Sequence, residues 1–249
     1  MITIKSKEQV AKMRDAGKIV AEVLALMGEH VEPGISTWEL NVIAENHIRK
    51  SGAVPTFLGY GGFPASICAS VNEAVVHGIP DRNCILKEGD IISVDVGATF
   101  RGYVGDAART FPVGKISDEN ARLIEVTKQS FYEGFAQARK GNRLGDISHA
   151  IQRYVEKNGY SVIRDLVGHG VGENMHEDPA VPNFGKKGRG IKLCEGLTIA
   201  VEPMVSAGSY QLIQLRDNWT YVTRDGSMAA HYENTFAITD GEPEILTRL

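Results

Sequence analysis

The sequence predicts a single α+β domain over residues 1–249, in which helices pack on a curved, mostly antiparallel sheet. The main observation behind this prediction is an internal repeat with a period of about 110 residues. Each half, about 1–115 and 116–249, contains a long helix, a short helix, a strand, a His-Gly pair and two antiparallel strands that carry acids. Neither half would bury its sheet well alone, so we expect one shared domain with a pseudo-two-fold axis. Chance similarity of two strand motifs is the alternative.

A long helix and a short helix begin each half. Ser6 starts a capping box that precedes apolar residues at helical spacing, and Ser36 starts a second, shorter helix in the same way. In the second half, the pattern predicts a long helix from Ser117 to about Gly141 and a short helix capped by Asp146. The matching order of the helices supports the repeat.

Residues 91–111, IISVDVGATFRGYVGDAARTF, predict a β-hairpin with an acid in each arm. With Arg101-Gly102 as the two-residue turn, Asp106 lies opposite Gly97. Because a strand has a period of two, Asp95 and Asp106 then point from the same face and are diagonally adjacent. Two carboxylates this close share a proton or hold a cation between them. Surface acids on a solvated hairpin are the alternative.

The second half carries a matching pair of acids. Residues 195–202, EGLTIAVE, repeat residues 88–95, EGDIISVD, with Glu202 at the position of Asp95. Glu233 lies two residues before Thr235, and Asp106 lies four residues before Thr110. Both intervals are even, so each acid lies on the same strand face as its threonine, and the two acids have matching positions in the two halves. A strand is also expected over residues 161–167, SVIRDLV. A pseudo-two-fold axis would bring both acid pairs to a central cleft.

Composition excludes several functional classes. The chain is 43% hydrophobic and 23% charged, which is ordinary for a soluble globular protein, and its net charge of −4 implies no general attraction to nucleic acid or anionic membranes. The first residues contain no apolar signal region, and there is no run of 18 apolar residues. We therefore expect a cytoplasmic protein with no membrane contact. The three widely spaced cysteines suggest reduced thiols.

Three histidines lie in conspicuous contexts, namely His77, His169 and His176. A histidine between apolar residues is more often a hydrogen-bonded core residue than a ligand, but a His-Gly pair occurs in both halves. Carboxylates are hard oxygen ligands and imidazole suits transition metals. The summed charge of the four acids matches two divalent cations, which would activate a water between them.

At this point the sequence resembles a known family. Five residues in order resemble the metal ligands of methionine aminopeptidases, and the surrounding segments NEAVVHGIP, SVDVGA, GDAART, GHGVG, MHEDP, VEPM and YENTFAIT agree with that family. These five residues are Asp95, Asp106, His169, Glu202 and Glu233. The resemblance covers essentially the whole chain. It implies the pita-bread fold and removal of the initiator methionine from nascent proteins, and the short interval from His176 to Glu202 resembles the bacterial type I form.

The resemblance also implies a role for each site residue. Asp95 would chelate one divalent ion and His169 the other, while Asp106 and Glu233 would bridge the two. Glu202 would bind metal and act as general base. The ions would be Co²⁺, Mn²⁺, Fe²⁺ or Zn²⁺.

Two further histidines and an apolar pocket complete the expected site. His176 would hydrogen-bond the scissile carbonyl or its oxyanion, and His77 would contact the substrate amide and help to shuttle protons. The methionine pocket would consist of Phe57, Tyr60, Phe63, Cys68, Met175 and Trp219. Phe57 and Met175 depart from the family, which leads us to expect a smaller residue and an aromatic there. Without the resemblance, Tyr60, Phe63 and Trp219 would be ordinary core or loop aromatics.

The resemblance further implies a monomer that acts on nascent N-termini and contacts the ribosome transiently, without sequence-specific nucleic-acid binding. One alternative is another pita-bread exopeptidase of the prolidase or aminopeptidase P type. Those enzymes usually carry an extra N-terminal domain, for which the start of the first helix at Ser6 leaves no room. The other alternative is a non-catalytic, ribosome-associated binding protein, but such relatives lose metal ligands and all five are present here.

Overall fold

A computed structural model describes residues 2–249 of the chain. Its described part contains four α-helices in two pairs, one pair in each half of the sequence. The helices are α1 (Lys7–His30), α2 (Thr37–Lys50), α3 (Asp118–Phe135) and α4 (Leu144–Lys157). None of the helices in the described part combines the length and the apolar character needed to cross a membrane.

Three helix starts follow the predicted capping. The side chains of Ser6, Ser36 and Ser117 each accept a hydrogen bond from the backbone N–H three residues later. The prediction that Asp146 is an N-cap is wrong, because the helix begins at Leu144 and Asp146 occupies its third position. From there its carboxylate accepts from the backbone N–H of Arg143 at 2.8 Å. A carboxylate in the first turn can accept hydrogen bonds from the free N–H groups at the start of a helix, as an N-cap side chain does. Asp146 therefore marks the start of the helix for the expected reason, but from its third position.

Helix α3 ends at Phe135, earlier than the predicted end near Gly141. The next N–H groups bond to carbonyls three residues back, as Gln137 does to Gly134 and Ala138 does to Phe135. This tighter turn satisfies the last carbonyls and redirects the chain toward α4.

Residues 2–249 contain fifteen strands, and every observed pairing is antiparallel. The strands are β1 (Val54–Pro55), β2 (Ile67–Val71), β3 (Ala74–Val76), β4 (Ile91–Phe100), β5 (Tyr103–Pro112), β6 (Ser161–Val162), β7 (Gly168–Gly170), β8 (Glu177–Val181), β9 (Thr198–Val201), β10 (Met204–Ser206), β11 (Leu212–Gln214), β12 (Tyr221–Thr223), β13 (Ala229–His231), β14 (Asn234–Ala237) and β15 (Glu244–Ile245).

Hydrogen bonding divides these strands into four sheets within the described residues. The first half forms the sheet β1-β4-β2 with β5 on β4, and the second half forms β15-β14-β9-β7-β8. Two three-stranded sheets, β13-β10-β6 and β11-β12-β3, lie beside them. The strand expected over residues 161–167 is mostly wrong, because only Ser161 and Val162 pair with a neighbour. The residues after them line a cavity instead.

Each helix pair covers the sheet of its own half. Helices α1 and α2 share a buried apolar cluster with β4, whose members include Val20, Leu40 and Val94. Helices α3 and α4 share a second cluster with β9 and β14, which includes Ile147 and Ile199. The two halves therefore repeat one arrangement of helices on a sheet, as the internal repeat predicts.

Helix α1 lies unusually close to the hairpin. A Cβ added at Gly105 on β5 would lie 2.6 Å from the backbone nitrogen of Gly17, and one added at Gly17 would lie 2.3 Å from the carbonyl oxygen of Leu246. A Cβ at either position would collide with backbone, so Gly105 lets the strand touch helix α1 backbone to backbone, and Gly17 lets the helix touch the C-terminal segment at Leu246. This contact fixes the strand segment immediately before Asp106.

Candidate metal centre

The hairpin of β4 and β5 positions the first two acids. The predicted register is confirmed, because Gly97 lies opposite Asp106 and Asp95 lies opposite Ala108. At the turn, Arg101 and Gly102 have φ angles of 51° and 79°, the left-handed values that a type I′ hairpin turn needs. The turn therefore sets the register that puts both carboxylates on one face.

The second half positions Glu202 and Glu233 at the ends of two paired strands. Glu202 follows β9 directly and Glu233 precedes β14 directly, in a ladder where Val201 pairs with Asn234. His169 lies on β7, opposite Ala200 of β9. Its Nδ1 lies 2.9 Å from the carbonyl oxygen of Gly170, which orients Nε2 toward the acids.

A polar seam between β5 and β14 joins the two halves at the site. The backbone N–H of Glu233 donates to the carbonyl of Ala108 at 2.9 Å, and the hydroxyl of Thr235 donates to the carbonyl of Asp106 at 2.9 Å. The guanidinium of the half-buried Arg109 donates to the carbonyl of Glu233 and lies 4.1 Å from the ring centre of Tyr232. These bonds hold the strand carrying Asp106 against the strand carrying Glu233.

The acids and the histidine form one buried cluster. Asp106, His169 and Glu233 each offer a ligand atom, and these atoms all lie within 4.8 Å of one another. The Nε2 of His169 is 3.4 Å from Oδ2 of Asp106 and 3.8 Å from Oε1 of Glu202. A second group with the same spacing consists of Asp95, His231 and Glu233. The five residues that the sequence predicts as metal ligands therefore converge from both halves.

Burial and mutual repulsion perturb the acids strongly. Burial, followed by the charge of Asp106, raises the pKa of Asp95 and of Glu233 well above the ordinary range. Burial also raises the pKa of Glu202 to about 8, although the charge of His169 opposes the rise. Burial lowers the pKa of His169, but the nearby Asp106 carboxylate and the charge of Glu202 outweigh it, and the pKa rises to about 9. Without a bound cation, the raised pKa values favour proton binding, which lowers the negative charge of the cluster.

The donor set fits divalent metal ions. Oδ1 of Asp95, Oδ1 of Asp106 and Oε1 of Glu233 are buried and have no hydrogen-bond partner among the described residues. Buried carboxylate oxygens without partners are costly, and a cation satisfies several of them at once. Carboxylates with imidazole are the ligand set of hydrolytic transition-metal sites.

A cavity of about 330 Å³ opens onto the cluster, and its walls include every residue that the sequence predicts for the site. These residues are Phe57, Tyr60, Phe63, Cys68, His77, Asp95, Asp106, His169, Met175, His176, Glu202, Trp219 and Glu233. The sequence reasoning missed Val76, Asp165, Leu166, Val167 and Met204, which also line it. Asp165, Leu166 and Val167 lie in the segment between β6 and β7, whereas Val76 and Met204 lie on three-residue strands, and neither setting has a distinctive sequence pattern.

The cavity wall away from the acids is aromatic and apolar. Phe63 and Trp219 meet edge to face with their ring centres 5.1 Å apart. Phe57 lies over Gly97, where an added Cβ would be 2.5 Å from its ring. Cys68 is buried opposite Asp95 on β2, and burial raises the pKa of its thiol. This wall offers a polarisable, uncharged surface to a substrate side chain.

Two histidines stand at the edge of the cluster. The hydroxyl of Tyr60 lies 2.7 Å from Nδ1 of His176, whose ring centre is 4.2 Å from that of His169. Burial, followed by the charge of His169, lowers the pKa of His176 to about 4, so the ring is neutral near pH 7. If the tyrosine donates to Nδ1, the proton of His176 sits on Nε2. His77 is half-buried and has a left-handed φ of 58°, an uncommon backbone conformation for a histidine.

His231 is the member of the cluster that sequence reasoning missed. It lies two residues before Glu233, and its side chain is 1% exposed. Alternation along a strand places residues i and i+2 on one face, so its parity with Glu233 was the signal that could have found it. Burial, followed by the charges of His77 and Arg109, lowers the pKa of His231 to about 3.

Comparison with known proteins agrees with this geometry. The model of metallopeptidase family M24 matches residues 11–240. A methionine aminopeptidase from Clostridium acetobutylicum is 58% identical over 247 residues, which cover 99% of both chains. The crystal structure of a methionine aminopeptidase from Thermotoga maritima is 45% identical and superposes with a TM-score of 0.99 over 100% of both chains.

A more distant structure shares the fold alone. The Xaa-Pro dipeptidase from Bacillus anthracis is 21% identical with a TM-score of 0.78, and this chain covers 62% of it. The predicted pita-bread fold is thus confirmed by close and distant structures alike. The chain belongs to metallopeptidase family M24 and, within that family, to the bacterial methionine aminopeptidases.

Proposed function

We propose that this metal-dependent aminopeptidase removes the initiator methionine from nascent proteins when the next residue is small. The observation that carries the proposal is the junction of a buried carboxylate–imidazole cluster with an apolar cavity of about 330 Å³. The cluster supplies hydrolytic chemistry, and the cavity supplies a place for one uncharged side chain beside it. The names of the related proteins support the choice of methionine.

Five residues would hold the divalent ions, namely Asp95, Asp106, His169, Glu202 and Glu233. We infer two ions, with Asp106 and Glu233 as bridging carboxylates. Glu233 belongs to both groups of converging ligand atoms, and Asp106 lies with it beside His169. When bound, divalent ions at such a site lower the pKa of a coordinated water and polarise the scissile carbonyl. Co²⁺, Mn²⁺, Fe²⁺ and Zn²⁺ all suit this mixed donor set.

Glu202 is the residue that we assign to proton transfer. Its side chain lines the cavity and is 14% exposed, and in the metal-free protein burial raises its pKa to about 8. A carboxylate at this position can take a proton from the attacking water and deliver it to the leaving amine. Asp106 and Glu233 are more deeply buried, at 2% and 1% exposure, so Glu202 is better placed than either of them to exchange protons with a substrate.

His176 is the residue that we assign to the scissile carbonyl. When the hydroxyl of Tyr60 donates to Nδ1, the neutral ring of His176 presents Nε2 as a donor. A donor held in this way stabilises negative charge that develops on the carbonyl oxygen. His77, which lies on the same cavity, would contact the substrate amide and help to move protons.

The side-chain pocket would be formed by the aromatic and apolar wall of the cavity. An unbranched thioether adapts to an irregular apolar surface and makes favourable contacts with aromatic edges such as those of Phe63 and Trp219. Phe57 and Met175 are both buried, so these departures from the family change the shape of the wall and keep its apolar character.

Peptide cleavage tests the proposal directly. Met-Gly, Met-Ala and Met-Ser peptides should be cleaved much faster than Met-Leu or Met-Lys peptides, and a chelator should abolish the activity. A Gly-Pro peptide is the control for the prolidase type of specificity. Equal kcat/KM for Met-Ala and Met-Leu would contradict the proposed specificity, and preferential cleavage of Gly-Pro would replace it with the prolidase alternative. No cleavage with any of the four metals would leave only a binding function.

We further propose that the protein acts in the cytoplasm as a monomer and contacts the ribosome transiently. The support is the nature of the substrate, because an initiator methionine is presented on chains that are still emerging from the ribosome. Light scattering should give a mass near 27.1 kDa. Co-sedimentation with translating ribosomes that weakens as salt is raised would support the ribosome contact, and its absence at low salt would contradict it.

A further inference from the structure

His231 is a buried imidazole for which the proposed reaction has no role. It lies at the end of β13, opposite Met204, with its ring inside the cluster of acids. Its side chain is 1% exposed, and neither of its ring nitrogens has a hydrogen-bond partner among the described residues. An imidazole buried without partners is destabilising, so a group that satisfies it is expected.

The distances around His231 are those of a metal ligand. Its Nε2 lies 3.7 Å from Oε2 of Glu202 and 3.6 Å from Oε2 of Glu233, which is too long for a hydrogen bond. Two donors that bind one ion tetrahedrally at about 2.1 Å are roughly 3.4 Å apart. His169, the imidazole already assigned to the metal, has nearly the same spacing, with its Nε2 at 3.4 Å and 3.8 Å from the oxygens of two acids.

The cluster also has a place for a second imidazole. Asp106, His169 and Glu233 form one group of converging ligand atoms, and Asp95, His231 and Glu233 form another. The two groups share Glu233 and are otherwise distinct. Each group thus pairs one imidazole with two carboxylates.

We propose that His231 is a sixth protein ligand of the metal centre and binds through Nε2 on the side of Asp95, while His169 binds on the other side. This inference rests on the metal dependence in the proposed function and extends it to the ligand set. Each ion then receives one nitrogen donor. Without His231, the ion on the side of Asp95 would have only oxygen ligands from the protein, which suit Mn²⁺. An imidazole ligand at that ion changes its preference toward Fe²⁺, Co²⁺ and Zn²⁺.

Proton NMR of the Co²⁺-loaded protein tests this assignment. A coordinated imidazole keeps one ring N–H, whose resonance is shifted far outside the ordinary range by the paramagnetic ion and disappears in D₂O. The wild-type protein with two equivalents of Co²⁺ should show two such exchangeable signals. His231→Gln should remove one and His169→Gln, the matched control, should remove the other.

Calorimetric titration with Co²⁺ provides a second readout. His231→Gln should weaken one binding step by more than the roughly 10–100-fold that loss of an outer-shell partner costs, and leave the other step nearly unchanged. His231→Asn is the second variant, because its amide cannot reach the position of Nε2 and should give the same loss. The melting temperature of each metal-free variant establishes that it folds.

The outcomes separate this inference from the proposed function. A single exchangeable signal in a wild-type protein that binds two ions and cleaves Met-Ala would overturn the ligand role and leave the function intact. Two signals in a protein that fails to cleave methionyl peptides would support the ligand role and remove the function. Unchanged Co²⁺ affinities in a folded His231→Gln variant would also overturn it. The number of exchangeable signals in the wild-type spectrum tests the ligand role of His231 without any variant, so the test remains possible even if both substitutions prevent folding.

Discussion

The metal-free protein should lose stability as the pH rises from 7 to 9. Glu202 has a pKa near 8 in the folded state against 4.5 for an ordinary glutamate, and His169 has a pKa near 9 against 6.5. Both groups therefore bind a proton more tightly when folded than when unfolded. The stability that each contributes is fully present below its unfolded pKa and is lost as the pH passes through its folded pKa.

The size of the loss follows from these values. Between pH 7 and 9, the change in protonation of Glu202 alone would lower the unfolding free energy by about 1 kcal/mol, and that of His169 alone by about 2 kcal/mol. Because the two groups interact, the losses do not add, and we expect about 2 kcal/mol in total. In a chain of this length, that corresponds to a fall of roughly 4–8 °C in melting temperature. His231, with its pKa lowered to about 3, is neutral in both states throughout most of this window and changes little.

Bound metal should remove this dependence. Metal ligands must be deprotonated, so ions replace the protons and bind more tightly as the pH rises. Calorimetry on matched chelated and Co²⁺-loaded samples at pH 7, 8 and 9 is the assay. A metal-free Glu202→Gln variant should show a shallower fall, because its side chain is neutral at every pH. Parallel profiles with and without metal, or a metal-free protein that gains stability toward pH 9, would refute this account of the cluster.

Three other predictions concern single positions. Asp106→Asn should abolish peptide cleavage and weaken both steps of a calorimetric metal titration, since we assign this carboxylate to both ions; unchanged binding would refute the bridging role. His169→Ala should lose metal affinity, whereas His176→Ala should keep the metals and lose about 10²–10³ in kcat with a smaller change in KM. Equal metal loss in the two variants would contradict that division of roles. Gly17→Ala should cost about 1–3 kcal/mol in urea unfolding, because its Cβ would meet the carbonyl of Leu246 at 2.3 Å; a variant as stable as the wild type would show that the helix can shift.

Local patterns predicted the parts of the site that depend on neighbouring residues. The hairpin register followed from one turn, Arg101-Gly102, and strand alternation then placed Asp95 and Asp106 on one face. The internal repeat predicted the same arrangement for Glu202 and Glu233. A pseudo-two-fold axis between the two halves was then enough to predict that both acid pairs face one cleft. Helix starts at Ser6, Ser36 and Ser117 were equally local, because a cap and its N–H partner lie three residues apart.

Features that depend on distant contacts were not predictable in the same way. Aspartate is a common N-cap residue, but here the helix begins earlier, at Leu144, whose side chain is buried in the core. The segment around Asp165 is apolar enough for a strand, yet it borders the cavity and finds no partner strand. His231 was missed because its significance lies in the acids that surround its ring in the folded protein, which its flanking residues Ala230 and Tyr232 do not indicate.

The seam between β5 and β14 sets the order in which the centre can be assembled. Asp95 and Asp106 belong to one hairpin and can come together early, as the chain emerges during synthesis. Glu233 and its strand come more than 120 residues after Arg109, so the seam cannot close until almost the whole chain has been made. A truncated or stalled chain would therefore present two unshielded carboxylates without the partners needed to hold an ion firmly. We therefore expect firm metal binding, and with it activity, only after the last strands have docked onto the first hairpin.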